Sequence, residues 1–261
     1  MDLEDRPIGF FDSGIGGISV LKEAIKILSN EDFVYFGDSK MAPYGGKTAE
    51  EVKRLTFNAV DLLLKKNIKA LVVACNTATS AAIIDLRKKY SKSMPIIGIE
   101  PALKPAVEFN RKGKIVIMAT TMTLSERKFN NLMKKYESTT SIEPVPCPGL
   151  VELIEQGKTE GEEVEIYLKE KLNSLKDEGI AAVVLGCTHY PFVKKSIRKI
   201  LNKDIPIIDG SRGTVEQLKR QLVRYHIRNN KNKAGKVTIF NSMDSQFIIQ
   251  LSYKLLKKES V

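Results

Sequence analysis

Two cysteines stand at matching places in this chain. Cys75 ends the run Ala70-Leu71-Val72-Val73-Ala74 and is followed by Asn76-Thr77-Ala78-Thr79. Cys187 ends the run Ala181-Ala182-Val183-Val184-Leu185-Gly186 and is followed by Thr188-His189-Tyr190-Pro191. A thiol becomes a base once ionised, and a free Cys ionises near ~8.5. A place at the start of a helix is expected to lower that value for both residues. Asn76, Thr77, Thr188 and the backbone N–H groups around them suit a carboxylate. Two thiols on opposite sides of one carbon could take a proton from one face and return it to the other. That is inversion at a carbon next to a carboxylate, without redox. Such a proton is weakly acidic, so the site must stabilise a carbanion and exclude water. Asp12 and His189 are candidate partners, one for each thiol.

Other chemistries fit less well. A lone Cys at a strand end is ordinarily a small buried hydrophobe, but a matched pair is a different signal. Cys147 has no counterpart, lies between Pro146 and Pro148, and reads as structural. A disulfide between Cys75 and Cys187 is disfavoured in a reducing compartment. Zinc would need more ligands than Cys-Thr-His provides. His226 sits in a basic loop and reads as solvated. Gly14-Ile15-Gly16-Gly17 falls short of a dinucleotide turn, because Ser19 stands where the last glycine belongs.

The elements around these residues have a simple order. Continuous apolar runs suit strands buried on both faces of a parallel sheet. Ile8-Gly9-Phe10-Phe11 is the first and leads into Asp12-Ser13-Gly14. Helical spacing follows at Val20, Leu21, Ala24, Ile25 and Leu28. Phe33–Phe36, a helix over 49–66, the Cys75 strand, a helix through Arg87 and the strand Ile96–Ile99 continue the alternation. The pattern restarts at Lys114–Ala119 and passes through Ile142–Pro146, a helix from Leu150, the Cys187 strand, a helix through Leu201 and Ile205–Ile208. Asp12 then corresponds to Thr120, Cys75 to Cys187 and Pro95 to Pro206, all offset by about 110 residues. The expected fold is α/β. It comprises two similar parallel-sheet domains with pseudo-twofold symmetry and the active site at their interface. Residues 1–97 with 211–261 would form the first domain and 98–210 the second. The stretch after Ser211, with a helix, a strand at 236–240 and a last helix at 245–258, is expected to pack on the first.

The bulk composition narrows the class. Of 261 residues, 43% are hydrophobic, enough for real cores. No apolar run approaches the length of a membrane span, and the polar start Met1–Arg6 is not a signal peptide. Three cysteines in all speak for a cytoplasmic protein with reduced thiols. The net charge is +11, from 42 Lys+Arg against 31 Asp+Glu. Its lysines come in short runs such as Lys65-Lys66, Lys88-Lys89 and Lys134-Lys135, which reads as a solvated surface rather than a nucleic-acid site.

Four blocks together carry a family resemblance: Phe11–Gly17, Pro43-Tyr44-Gly45, Ala74–Thr79 and Gly186–Pro191. Their order and spacing, from about Pro7 to beyond Asp209, resemble the signature of the glutamate racemases. The resemblance implies cofactor-independent interconversion of L- and D-glutamate for peptidoglycan, with Cys75 and Cys187 as the two bases. It implies auxiliary acid–base roles for Asp12 and His189. It places substrate against Asp12, Ser13, Tyr44, Gly45, Asn76, Thr77, Thr120, Thr123, Thr188 and His189. Ala119 stands where a Gly is common. A catalytic Glu is implied near Cys147–Glu155; Glu155 is the better match, and Glu152, where a Pro is usual, is the other candidate. No metal is implied, and a homodimer is. Some members have an N-terminal extension and an activator; with eleven residues ahead of Asp12, neither is expected here. Aspartate as substrate, or a Cys-His hydrolase built on Cys187 and His189, are the alternatives.

Overall fold

Strand and helix alternate through most of the chain. The computed structural model describes residues 2–125, 127–136, 138–176 and 179–258. The first set is β1 (Ile8–Asp12), α1 (Ile18–Ile27), β2 (Phe33–Gly37), α2 (Ala49–Leu64), β3 (Ala70–Val73), α3 (Asn76–Tyr90) and β4 (Ile96–Gly98). The second is α4 (Leu103–Glu108), β5 (Lys114–Ala119), α5 (Thr121–Ser125), α6 (Arg127–Lys134), β6 (Ile142–Pro146), α7 (Leu150–Glu155), α8 (Glu162–Lys176), β7 (Ile180–Leu185), α9 (Lys194–Ile200) and β8 (Ile207–Asp209). α10 (Ser211–Arg224), β9 (Val237–Asn241) and α11 (Gln246–Lys257) follow.

Two parallel sheets result. The first runs β4-β3-β1-β2-β9 and the second β6-β5-β7-β8. Read from the other edge, the second is β8-β7-β5-β6, the order of the first without β9. The two halves therefore share one topology, and the Cys75 and Cys187 strands hold equivalent positions in it. β9 is the exception, added beside β2 in parallel register from Phe33↔Val237 to Gly37↔Asn241.

The period of a strand explains the layers. Successive side chains point to opposite faces. Phe10 and Val72 face a core with Leu21 of α1, Leu218 of α10 and Leu251 of α11. Phe11, Leu71 and Val73 face the other way, onto Val52 and Ala59 of α2 and Ile83 and Leu86 of α3. In the second sheet Val116, Met118, Val183 and Leu185 meet α7, α8 and α9. Ile115, Ile117 and Val184 meet α4 and Phe129 of α6. β1, β3 and β7 are buried along their whole length, as strands between two helix layers must be. No helix among the described residues is long and apolar enough to cross a membrane.

α4 was not expected from the sequence. It holds only six residues and a proline at position 105, too short for a helical period to register. The helix expected directly after Cys187 also starts later. A 3-10 turn, Tyr190–Val193, comes first, with Pro191 inside it.

At the end of the first sheet away from the strand C-termini, a buried ion pair and its hydrogen bonds tie four segments together. Lys69 Nζ lies 2.6 Å from Glu31 Oε2, with both side chains almost fully buried. Lys69 also donates to the carbonyl of Glu4 at 2.5 Å, and Glu31 Oε1 accepts the Asn229 N–H at 2.8 Å.

Candidate active site

The carboxyl ends of β1, β3, β5 and β7 converge on one small cavity, as ligand sites of open α/β sheets do. Asp12 ends β1 and is fully buried. One carboxylate oxygen accepts the Gly14 N–H at 2.9 Å, and the other accepts the Thr188 hydroxyl at 2.9 Å. This second bond joins the two sheets. Burial pushes the Asp12 carboxyl above its ordinary range, against the pull of His189 and of these two donors.

Cys75 caps α3. Its Sγ accepts the Ala78 N–H at 3.4 Å and lies 3.4 Å from the Ser13 hydroxyl. The helix start was expected to lower the ionisation of both thiols. At Cys75 the reverse holds: burial and the neighbouring Asp12 push it up to about 12, outweighing the Ser13 and Ala78 hydrogen bonds. Cys187 is not at an α-helix start, since the 3-10 turn follows it. Its neighbour is His189, whose Nδ1 lies 3.7 Å from Sγ.

His189 is fixed from the other side by Glu155. Nε2 and Glu155 Oε1 are 2.7 Å apart. Burial opposes a charge on His189, but the bonds to Cys187 and Glu155 outweigh it and raise its pKa well above the imidazole range. Glu155 is held below the usual carboxylate range: burial works against it, and hydrogen bonds from His189, the Ile15 N–H and Ser39 prevail. The Ile15 bond is 2.7 Å and the Ser39 bond 3.0 Å. Glu155 comes from α7 and reaches across to the first sheet. Gly14 makes room for it, because a Cβ there would lie 1.9 Å from Oε1.

The remaining residues complete the walls. Thr77 Oγ1 lies 3.1 Å from Thr120 Oγ1 and 3.3 Å from Thr123 Oγ1, across the gap between sheets. Tyr44 donates to Asp38 at 2.8 Å. Gly45 abuts Thr120, whose Cβ would lie 2.7 Å from a side chain at position 45. Asn76 Oδ1 is buried with no hydrogen-bond partner. The enclosed space measures about 10 Å³ and is lined by both thiols with Ser13, Tyr44, Gly45, Asn76, Thr77, Thr120, Thr188 and His189. That holds about one water. Beside it lies an open cavity of about 460 Å³ that shares Pro43, Gly45, Thr120 and Val151 with it and adds Lys47 and Glu152.

The residues that the resemblance placed at the site lie at the small cavity or are hydrogen-bonded to its wall, with one choice made between Glu155 and Glu152. Glu155 points inward, and Glu152 is exposed on the open side. Cys147 is buried and does not line the small cavity, though it borders the open one beside it, with Sγ against Val145 O at 3.4 Å. His226 is exposed. Sequence reasoning passed over Ser39, which follows the Asp38 strand end, and Asn241, whose amide lies 2.8 Å from Ser39 Oγ. Asn241 carries no motif, and 202 residues separate the two. Among the described residues no group of three or more His, Cys, Asp or Glu side chains is arranged to hold a metal ion.

Two sheets of one topology each bring a thiol to one small polar site, an α/β arrangement that offers acid–base groups from two sides. The chain belongs to the Asp/Glu/hydantoin racemase family, whose model matches residues 19–218. It is 78% identical over 258 residues to a glutamate racemase of Clostridium kluyveri, covering 99% of this chain and all of that one. A glutamate racemase isoform of Bacillus anthracis superposes with a TM-score of 0.87 at 31% identity, covering 98% of this chain and 96% of that one. The Francisella tularensis glutamate racemase, solved in complex with D-glutamate, gives 0.83 at 30% identity, covering 98% and 95%.

Proposed function

We propose that this protein interconverts L- and D-glutamate by removing the α-proton with one thiol and returning a proton from the other. The observation that carries the reading is the placement of Cys75 and Cys187, at equivalent strand ends, on one cavity. Relatives named glutamate racemase that align along nearly the whole chain support the substrate. In the resting form Cys75 is the protonated thiol, consistent with its raised pKa. Cys187, beside the charged His189, is the base. Once the α-proton moves to Cys187, Cys75 delivers its own proton to the opposite face, and the roles are reversed for the other enantiomer. Asp12 is the auxiliary group on the Cys75 side, and Glu155, rather than Glu152, supports His189. The α-ammonium of the substrate satisfies the orphaned Asn76 Oδ1. Its carboxylates take the hydroxyls of Ser13, Thr77, Thr120, Thr123 and Thr188 with the Tyr44-Gly45 wall.

A cavity of about 10 Å³ cannot hold glutamate, since small-molecule sites run to about 300 Å³ and more. Residues 1–97 with 211–261 act as one unit and 98–210 as another, separating to admit substrate and closing to expel water. The protein works as a cytoplasmic homodimer and provides D-glutamate for peptidoglycan, without a cofactor.

Circular dichroism of purified protein with L-glutamate, in deuterated water and without added cofactor, tests this. The signal should decay with deuterium entering at Cα. Decay with L-aspartate but not L-glutamate would overturn the substrate. Cys75→Ser and Cys187→Ser should each lower the rate by roughly 10²–10⁴-fold, the range of a general acid–base group. The Cys187-His189-Glu155 row also resembles the triad of a thiol hydrolase. That rival requires Cys75→Ser to be nearly harmless.

A further inference from the structure

We propose that Ser39 and Asn241 are positioning residues for the acid–base chemistry of Cys187, acting through Glu155 and His189. The inference rests on the reading of Cys187 as one of the two bases.

The directions of the hydrogen bonds are forced, one after another. Asn241 ends β9, and its Oδ1 accepts the Met243 N–H at 2.9 Å. Its Nδ2 is therefore the end turned toward Ser39, where it donates to Oγ at 2.8 Å. With one lone pair of Oγ so occupied, the Ser39 proton is free to point at Glu155 Oε2, 3.0 Å away. Glu155 takes the donors on its two oxygens separately: Ser39 on Oε2, and the Ile15 N–H and His189 on Oε1. A carboxylate holding Nε2–H turns Nδ1 toward Cys187. The result is one directed row from the last strand of the first sheet to a single thiol.

Backbone bonds hold the row at its origin. The Lys40 N–H donates to Ser242 Oγ at 2.9 Å, and the Ser242 N–H donates to the carbonyl of Gly37 at 2.9 Å. β9 thus grips the segment that carries Ser39 from both sides. This gives the added strand, which has no counterpart in the second sheet, a task at the site. It also makes the effect one-sided. The hydrogen-bond partners of Cys75 are Ser13 and the Ala78 N–H, outside the row, and its charged neighbour Asp12 bonds to Gly14 and Thr188 rather than to Ser39 or Asn241. The other ionisable groups around Cys187 and His189 are Asp12, Cys75, Cys147 and Tyr190. None of them hydrogen-bonds to Ser39 or Asn241 among the described residues.

The test uses Ser39→Ala, Ser39→Thr and Asn241→Asp in the full chain. Asn241→Asp keeps the acceptor for Met243 and replaces the donor with an acceptor at nearly constant shape, so it folds even where Ser39→Ala fails to. Iodoacetamide alkylation of Cys187 and of Cys75 is followed by mass spectrometry at a series of pH values. Both thiols need the cavity to open, so the ratio of their rates cancels that step. The Cys187/Cys75 ratio at pH 7 should fall about tenfold in Ser39→Ala and Asn241→Asp, the scale of one hydrogen bond to a charged group. Raising the pH should recover it, and Ser39→Thr should restore it to within about threefold. Glutamate kcat/KM should fall by a similar factor in the same two variants. An unchanged ratio in Asn241→Asp, or equal slowing of both thiols, would overturn the proposal. Because alkylation needs no turnover, a protein that failed to racemise glutamate would overturn the reaction assignment and still leave this row to be judged by the ratio.

Discussion

His189 stands between a carboxylate and a thiol, and its two nitrogens have different partners. Substitution at Glu155 should therefore reach Cys187 without touching it. Glu155→Gln removes the charge that favours the imidazolium and should lower glutamate kcat/KM roughly 10- to 100-fold, the effect of losing a charge-assisted hydrogen bond. Glu152→Gln, on the exposed side of the same helix, should stay within about twofold. The reverse ranking in steady-state assays would exchange the two roles. The same pair shapes stability against pH. His189 is raised in the fold, so its contribution is complete below about 6.5 and is lost as pH rises through its folded value. Glu155 is lowered, so its contribution is present above about 4.3 and is lost as pH falls through its folded value. Urea midpoints should be highest between these limits. Glu155→Gln should flatten the acid side of the curve, and an unaltered acid limb would exclude this carboxylate as its source.

At the scale of elements, the turn from β1 into α1 is shaped by what approaches it. Tyr35 of β2 donates to the Gly14 carbonyl at 2.7 Å, and the Glu155 carboxylate occupies the space a Gly14 side chain would need. Gly14→Ala should displace Glu155 from Ile15 and cost about 1–3 kcal/mol by overpacking, with at least a tenfold loss of kcat/KM. Thermal melts and assays check both, and wild-type activity in this variant would show that the carboxylate does not need its place. The ion pair of Lys69 and Glu31 sits at the opposite end of the sheet. Lys69→Met leaves a buried carboxylate without its counter-ion, with only the Asn229 N–H still bonded to it, and should cost about 3–5 kcal/mol. Adding Glu31→Leu should recover most of that loss in urea unfolding, because the uncompensated charge is then gone.

Over the whole molecule, polar bonds cross between the two sheets at the site, beside apolar contacts such as Met122 of α5 packed with Tyr44 and Ala78. Thr188 to Asp12, Thr77 to Thr120 and Glu155 to Ile15 all cross between them. Such bonds exchange readily with water or substrate, which suits a site that must open. Glutamate should then protect residues 43–48 and 120–125 together from amide hydrogen exchange, as both walls of the small cavity close on it. Protection of one wall alone would contradict a site shared by the two sheets.

The apolar runs, their alternation and the repeat offset by about 110 residues were legible in the sequence, because buried parallel strands write themselves as continuous hydrophobic stretches. Cys75, Cys187, Asp12 and His189 were legible for a related reason: residues at strand ends follow those runs directly. The tertiary structure decided what depends on distance between segments. It set Glu155 rather than Glu152 against His189, since both lie on α7 and only the helix orientation separates them. It raised Cys75 where a helix start alone predicts the opposite, since burial beside Asp12 outweighs a backbone N–H. It also brought Asn241 to Ser39, a contact that no local pattern encodes, because it arises only when β9 pairs with β2.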